Sequence, residues 1–261
     1  MVITSLEELL KAHLTLTSGR ISLALEIQGE KFEYNSRTII PSASLIKLPI
    51  LIAAYRESEK GKLFLHRRVT VTREDKTGGS GVIQSLSEGL NFTIKDLLTL
   101  MITVSDNTAT NVCIDLIGLD SINDTIKEIG LRHTVLGRKM MDWDGIKEGK
   151  NNYTSANDML LCMKAINEQG ILTEESRTDI LNILQSQQFV DKLPAHMDTD
   201  VITIANKTGE LPGAEHDTAI IKFKEKTAYA AVLTDGLLSQ EEGRQAIRNI
   251  GHIIYNHLIE E

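Results

Sequence analysis

The sequence predicts an α/β (α+β) fold in which a sheet is completed from both ends of the chain. Residues 21–27 and 31–34 are strand-like, and three further strand-like stretches follow residue 200. Between them, from residue 44 to about residue 184, apolar residues recur mainly at helical spacing. The helical block is therefore predicted to be an insertion into the sheet lobe, with a ligand site in the cleft between the two parts.

Local signals support each element in turn. A capping-box pattern from Ser5 to Glu8 predicts an opening helix, and a turn at 28–30 joins the first two strands into a hairpin. The later strands are predicted at 201–205, 216–223 and 227–234, with a turn at 224–226. A second capping-box pattern, Ser239 to Glu242, predicts the closing helix. Loops are expected near 78–81 and 142–152.

We expect a single discontinuous domain over residues 1–261. Its sheet lobe comprises about 1–42 and 196–261, and its helical lobe about 43–195. The sequence has no internal repeat and no low-complexity linker, so two independent domains fit less well.

Composition excludes several classes of protein. The 261 residues include 28 basic and 36 acidic side chains, and without a basic stripe this balance argues against a nucleic-acid partner. No apolar stretch could span a bilayer, so no membrane partner is expected. The first residues lack a secretion signal, which predicts a cytoplasmic protein as written, or a secreted one if the N-terminus was trimmed. Cys113 and Cys162 are predicted to be buried, inert thiols; neither cofactor nor metal is expected, and the oligomeric state stays open.

The strongest chemical signal is Ser44-Leu45-Ile46-Lys47, the only Ser-x-x-Lys in the sequence. Residues three apart share a helix face, so the Ser44 hydroxyl and the Lys47 amine point the same way. Serine needs a nearby base to become a nucleophile, and a lysine can be that base when its surroundings lower its pKa.

Two further polar motifs interrupt apolar segments. Ser105-Asp106-Asn107 separates two helical stretches, where it lines a cleft or caps a helix. Lys207-Thr208 with Gly209 is predicted to close the strand that begins near residue 201, where the cation and hydroxyl suit a carboxylate. A second Lys-Thr-Gly at 76–78 has no preceding strand and is interpreted as a loop. His133, His196 and His216 stay open as members of a Ser-His-Asp arrangement.

Together the three motifs are the signature of class A β-lactamases and penicillin-binding proteins, and this chain resembles that superfamily of serine hydrolases in their order and separation. Residues 97–111 and 217–221 are similar to the family's helix and strand at these places. The resemblance implies an antiparallel five-stranded sheet flanked by terminal helices, an all-helical lobe, and an active site between them.

The resemblance also implies residue roles. Ser44 would be acylated, with Lys47 as its activating partner, while Ser105 and Lys207 would deliver a proton to the leaving nitrogen. Asn107 would hold the substrate amide and bind Lys47, and Lys207 with Thr208 would bind the substrate carboxylate. The set of expected substrate-binding residues is Asn107, Thr208, Gly209 and Glu210. The backbone N–H groups of Ser44 and Glu210 would form the oxyanion hole.

The chain departs from the family where a loop glutamate activates the deacylating water. Aligning Arg138 with the family's loop arginine puts Met140 at the glutamate position, in a loop that is also several residues shorter. Asp142, Asp144 and Glu148 are alternative bases, although solvated carboxylates are the simpler interpretation. Trp143 either anchors this loop or belongs to the core.

The resulting hypothesis is a β-lactamase-like hydrolase that forms a Ser44 ester and deacylates slowly. A D-alanyl-D-alanine peptidase, an esterase, and a penicillin-binding sensor that is not turned over are the alternatives. In each case the expected ligand is a small β-lactam or an acyl-peptide-like molecule.

Overall fold

A computed structural model describes residues 5–15 and 17–260 of the chain. The predicted domain ends at residues 1 and 261 lie outside this description. Helices of at least five residues are α1 (Leu6–His13), α2 (Lys47–Glu59), α3 (Ile94–Thr103), α4 (Asn107–Ile117), α5 (Leu119–Ile129), α6 (Trp143–Lys147), α7 (Ala156–Asn167), α8 (Glu174–Gln185) and α9 (Gln240–Ile259). The strands are β1 (Arg20–Ile27), β2 (Glu30–Tyr34), β3 (Ile40–Pro41), β4 (Arg68–Val71), β5 (Leu90–Thr93), β6 (Tyr153–Thr154), β7 (Thr203–Leu211), β8 (Ala214–Phe223) and β9 (Lys226–Asp235).

The main sheet is five-stranded and antiparallel, in the order β2-β1-β9-β8-β7. The first and last strand groups of the chain meet where β1 pairs with β9, with Leu23 opposite Val232. The predicted closure of the sheet from both ends of the chain is therefore confirmed. Strand β7 lies at one edge, so one side of its backbone is available to other elements.

Two apolar clusters cover the two faces of this sheet. Helices α1 and α9 pack on one face, where Leu10, Ile247 and Ile254 are fully buried. The helical lobe covers the other face through α7 and its own core. Because the inner strands are covered on both sides, β1, β8 and β9 are almost continuously buried.

The structure corrects two details of the sequence interpretation. The lobe predicted to be all-helical also contains the antiparallel ribbon β4–β5 and the short strand β6, which pairs with β3 just before that lobe begins. The first capping box is present, but the second is not: Ser239 makes no side-chain cap, and Glu242 accepts hydrogen bonds from the N–H and hydroxyl of Ser18 instead. In the described residues, no helix combines the length and apolar character needed to cross a membrane.

Candidate active site

Ser44 lies in a short 3₁₀ helix, Ala43–Ile46, that leads directly into α2. Ala43 has a left-handed backbone conformation with φ of 47°, which is uncommon for a residue with a side chain and indicates local strain. Lys47 is the first residue of α2 and its side chain is completely buried. The predicted helical Ser-x-x-Lys arrangement is therefore present at the start of a buried helix.

Ser105 lies between two buried lysines. Its hydroxyl oxygen is 3.0 Å from the Lys47 ammonium nitrogen and 3.1 Å from that of Lys207. Lys47 also donates to the Ser105 carbonyl at 2.7 Å and to Asn107 Oδ1 at 2.9 Å, the bond expected from the resemblance. The first and second motifs come from the helical lobe and the third comes from the sheet lobe. All three thus meet at Ser105.

Asp106 explains why Ser105 and Asn107 can turn toward the lysines. One of its carboxylate oxygens caps α4 by accepting from Ala109 N–H at 2.9 Å. The other accepts from the N–H groups of Val82 and Ile83, at 2.6 and 2.9 Å. With this turn fixed, Ser105 is held at a φ of 53°. The motif therefore both caps a helix and lines the cleft.

Burial lowers the pKa of both lysines. The pKa of Lys47 lies well below its ordinary value because of burial, and the charge of Lys207 lowers it further, while Asp106 opposes the change. Burial lowers the pKa of Lys207 to about 7; nearby Lys192 adds to this effect and Asp217 opposes it. A neutral amine is consequently accessible near neutral pH, as a lysine base requires.

The third motif lies within β7 rather than at its end, since the strand continues to Leu211. This corrects the sequence prediction: the motif lies along an edge strand of the sheet, not at the end of a strand. Thr208 is buried and its hydroxyl donates to the His216 carbonyl at 3.1 Å. Gly209 faces the 3₁₀ helix so closely that a Cβ on it would be 3.1 Å from Ala43 Cβ and 3.2 Å from Ser44 N.

This close approach makes a prediction about Gly209. Gly209→Ala is expected to push Ser44 away from β7, slowing its acylation by about tenfold or more and destabilising the fold by about 1–3 kcal/mol, as overpacking does. Intact-mass kinetics with a β-lactam and thermal unfolding would measure both effects. Adding Ala43→Gly removes the nearest atom and is expected to restore part of the loss. A Gly209→Ala protein with unchanged kinetics would contradict this account.

Sequence reasoning missed a charged network beside β7. Lys192 is almost fully buried and lies 2.5 Å from a carboxylate oxygen of fully buried Glu215. The other Glu215 oxygen accepts from Arg244 Nε of α9 at 3.0 Å. Arg244 also pairs with Glu210 at 3.1 Å. These residues come from separate elements and form no local pattern, so no sequence signal could have grouped them.

The three histidines left open in the sequence have other partners. His216 is buried, its Nε2 lies 2.9 Å from the Pro41 carbonyl, and burial lowers its pKa to about 4. His133 lies 3.5 Å from Asp158, and His196 packs edge-on against His252. Each of these contacts is structural, so none supports a Ser-His-Asp arrangement with Ser44.

The loop after α5 does not present an obvious base. Asp142 caps α6 by accepting from Gly145 N–H. Asp144 and Glu148 are 86% and 62% exposed in ion pairs with neighbouring lysines. The interpretation as solvated or capping carboxylates therefore fits all three. Trp143 is 61% exposed, so it neither anchors the loop nor belongs to the core.

Met140 itself is held against α4. Its N–H donates to Asn111 Oδ1 at 2.8 Å and its carbonyl accepts from Asn111 Nδ2 at 3.1 Å. Asn111 is one helical turn after Asn107, the residue bound to Lys47. The backbone of residue 140 is therefore tied to α4 one helical turn from the residue that binds Lys47, but its side chain is a thioether that cannot act as a base.

A cavity of about 200 Å³ lies beside Ser44 and Ser105. Its lining includes Ser44, Ser105, Thr208, Gly209, Glu210, Lys192 and Arg244. A larger cavity, of about 490 Å³, lies between α1, the β1–β2 hairpin and the end of α9, and the predicted catalytic residues do not line it. Ser44 and Ser105 line the smaller cavity and not the larger one, so the smaller cavity is the candidate active site.

Comparisons with known proteins agree with this assignment. The profile of a family described as "Beta-lactamase enzyme family" matches residues 5–258. The chain is 25% identical to β-lactamase PSE-4 of Pseudomonas aeruginosa, over 96% of this chain and 89% of that protein. It is similar to the crystal structure of a β-lactamase from Sphaerobacter thermophilus, with a TM-score of 0.90, 33% identity and 95% of both chains covered. A mutant of PBP-A, solved as an acyl-enzyme with penicillin G, has a TM-score of 0.89 and 26% identity, covering 99% of this chain and 98% of that one.

Proposed function

Because this chain belongs to the β-lactamase enzyme family, we propose that it opens β-lactams or related amides and esters through an ester on Ser44, and that it releases the acyl group slowly. The observation that carries the proposal is the Ser105 hydroxyl, which lies within hydrogen-bond distance of both buried lysines. This is a connected path along which a proton can leave one group and reach another.

In this mechanism neutral Lys47 accepts the Ser44 proton while Ser44 Oγ attacks the carbonyl carbon of the ring amide. The N–H groups of Ser44 and Glu210 stabilise the resulting oxyanion. The carbon–nitrogen bond then breaks, and the proton passes through Ser105 to the leaving nitrogen. Lys207 beside Ser105 supports that transfer and attracts the ligand carboxylate.

The loop carboxylates make other contacts and are not held as bases, which supports slow deacylation. Asp142 is used as a helix cap, and Asp144 and Glu148 are exposed in ion pairs. The same observation favours a second candidate, a penicillin-binding protein or sensor whose acylated state is long-lived. A peptidase or esterase would use the same acylation residues.

The deciding experiment mixes the protein with a chromogenic cephalosporin and follows colour and intact mass together. We expect a burst that matches the enzyme concentration, a mass adduct that persists, and then slow turnover. Ser44→Ala is expected to give neither burst nor adduct. Fast sustained turnover would contradict slow deacylation, whereas no adduct at high ligand concentration would overturn the Ser44 mechanism.

A further inference from the structure

One end of the active-site cavity is closed by an ion pair between β7 and α9. Arg244 is partly exposed and lines the cavity together with Glu210. Its guanidinium is held on the inner side by fully buried Glu215, at 3.0 Å, and on the outer side by Glu210, at 3.1 Å. The Glu210 side chain is 54% exposed, so it is the partner that a ligand can displace.

Gln240 fixes both carboxylates relative to each other. Its Nε2 donates to Glu210 at 3.0 Å and to Glu215 at 3.1 Å. The Glu210 carboxylate is consequently held at the cavity wall, where an entering ligand can contact it. A carboxylate in such a position attracts cations and repels anions.

Lys192 lines the same cavity but is not available to a ligand. Lys192 donates to the Gly209 carbonyl at 2.9 Å and to the His216 carbonyl at 3.2 Å. Its side chain is only 4% exposed, and its ammonium nitrogen lies 2.5 Å from Glu215 in an ion pair. Arg244 has five donors, of which Glu210 and Glu215 engage only part. At this end of the cavity, Arg244 is therefore the cation that a ligand anion can reach.

We propose that the Glu210 carboxylate competes with the carboxylate of an incoming ligand for Arg244, and so lowers the affinity of the cavity for anionic acyl donors relative to neutral ones. This inference rests on the proposed function, because it assumes that acyl donors enter this cavity. It assigns to the Glu210 side chain a role in specificity that is separate from the backbone N–H of the same residue.

Equilibrium binding to a protein that cannot be acylated tests the proposal. In a Ser44→Ala background, calorimetry would compare penicillin G with its uncharged methyl ester. Glu210→Gln is expected to tighten penicillin G binding about fivefold, which corresponds to about 1 kcal/mol, and to leave the ester unchanged. Glu210→Ser, which also removes the carboxylate, is expected to change binding in the same direction.

Glu241→Gln is the matched control. Glu241 is 60% exposed and pairs with Arg248 on the same helix α9, but it does not line this cavity. It is expected to leave the binding of both ligands unchanged. Equal tightening of the ester, unchanged or weaker penicillin G binding in Glu210→Gln, or no detectable penicillin G binding in any variant would overturn the proposal. The proposed function is tested separately: it fails if the wild-type protein forms no Ser44 adduct.

Discussion

Replacing Lys47 by methionine is expected to slow the acylation of Ser44 by about a thousandfold, within the range that a positioned general base contributes. Methionine keeps most of the side-chain volume in a site that is completely buried, so the change mainly removes the amine. That amine is the group that binds Ser105 and Asn107. The rate of adduct formation with a β-lactam, followed by intact mass, measures the effect.

The pH dependence of acylation gives a second readout of the same variant. Burial holds the pKa of Lys47 well below its ordinary value. Because the base must be neutral, the acylation rate should rise as pH increases through that pKa and fall below it. Burial also lowers the pKa of Lys207 to about 7, and its attraction for a ligand carboxylate should be lost above that pH. We expect a bell-shaped profile of the second-order rate constant, whose rising limb disappears in Lys47→Met.

Lys164→Met is the control for this prediction. Lys164 is partly buried and pairs with Glu26, but it joins α7 to β1 and does not line the candidate site. It is expected to lower stability, because buried Glu26 loses its close partner, and to leave the acylation profile unchanged. If Lys47→Met retained the rising limb, another group would be the base.

The fold was largely accessible from the sequence because its signals are local. The Ser5 capping box, the hairpin turn before Glu30 and the apolar face of α9 each reflect contacts between near neighbours in the chain. The short ribbons were not accessible, since the two-residue strands Ile40–Pro41 and Tyr153–Thr154 pair only through tertiary structure. The Ser239 prediction was wrong for a related reason: Glu242 makes a contact with a distant residue instead of the local cap.

In the candidate site, too, the residues that are close in sequence could be predicted and those joined only by tertiary structure could not. Ser44 and Lys47 could be paired from sequence because one helical turn separates them, and the other motifs were joined to them only through the family resemblance. Lys192, Glu215 and Arg244 were missed because each is an isolated charge on a different element. Their grouping depends on how α9 packs on β8, which no short motif encodes.

Replacing Met140 by glutamate is expected to increase the deacylation rate by about a hundredfold, since a positioned general base typically contributes at least that factor. Two hydrogen bonds to Asn111 fix the backbone of residue 140, and Asn111 lies one turn from Asn107 on α4. The family's deacylating glutamate aligns with residue 140, so we expect a carboxylate introduced there to reach the Ser44 ester from a backbone that is already held. The steady-state rate that follows the burst, together with the lifetime of the mass adduct, measures deacylation.

A base effect can be separated from a general change in the loop. Met140→Gln has a similar shape but cannot accept a proton from water at neutral pH, so it should leave deacylation slow. In Met140→Glu, the added carboxylate should also raise the pKa of Lys47 and slow acylation near neutral pH. The burst rate would then fall while the later steady rate increases. If Met140→Glu formed the acyl-enzyme normally but released it no faster than Met140→Gln, residue 140 would not be the position from which this fold activates the deacylating water.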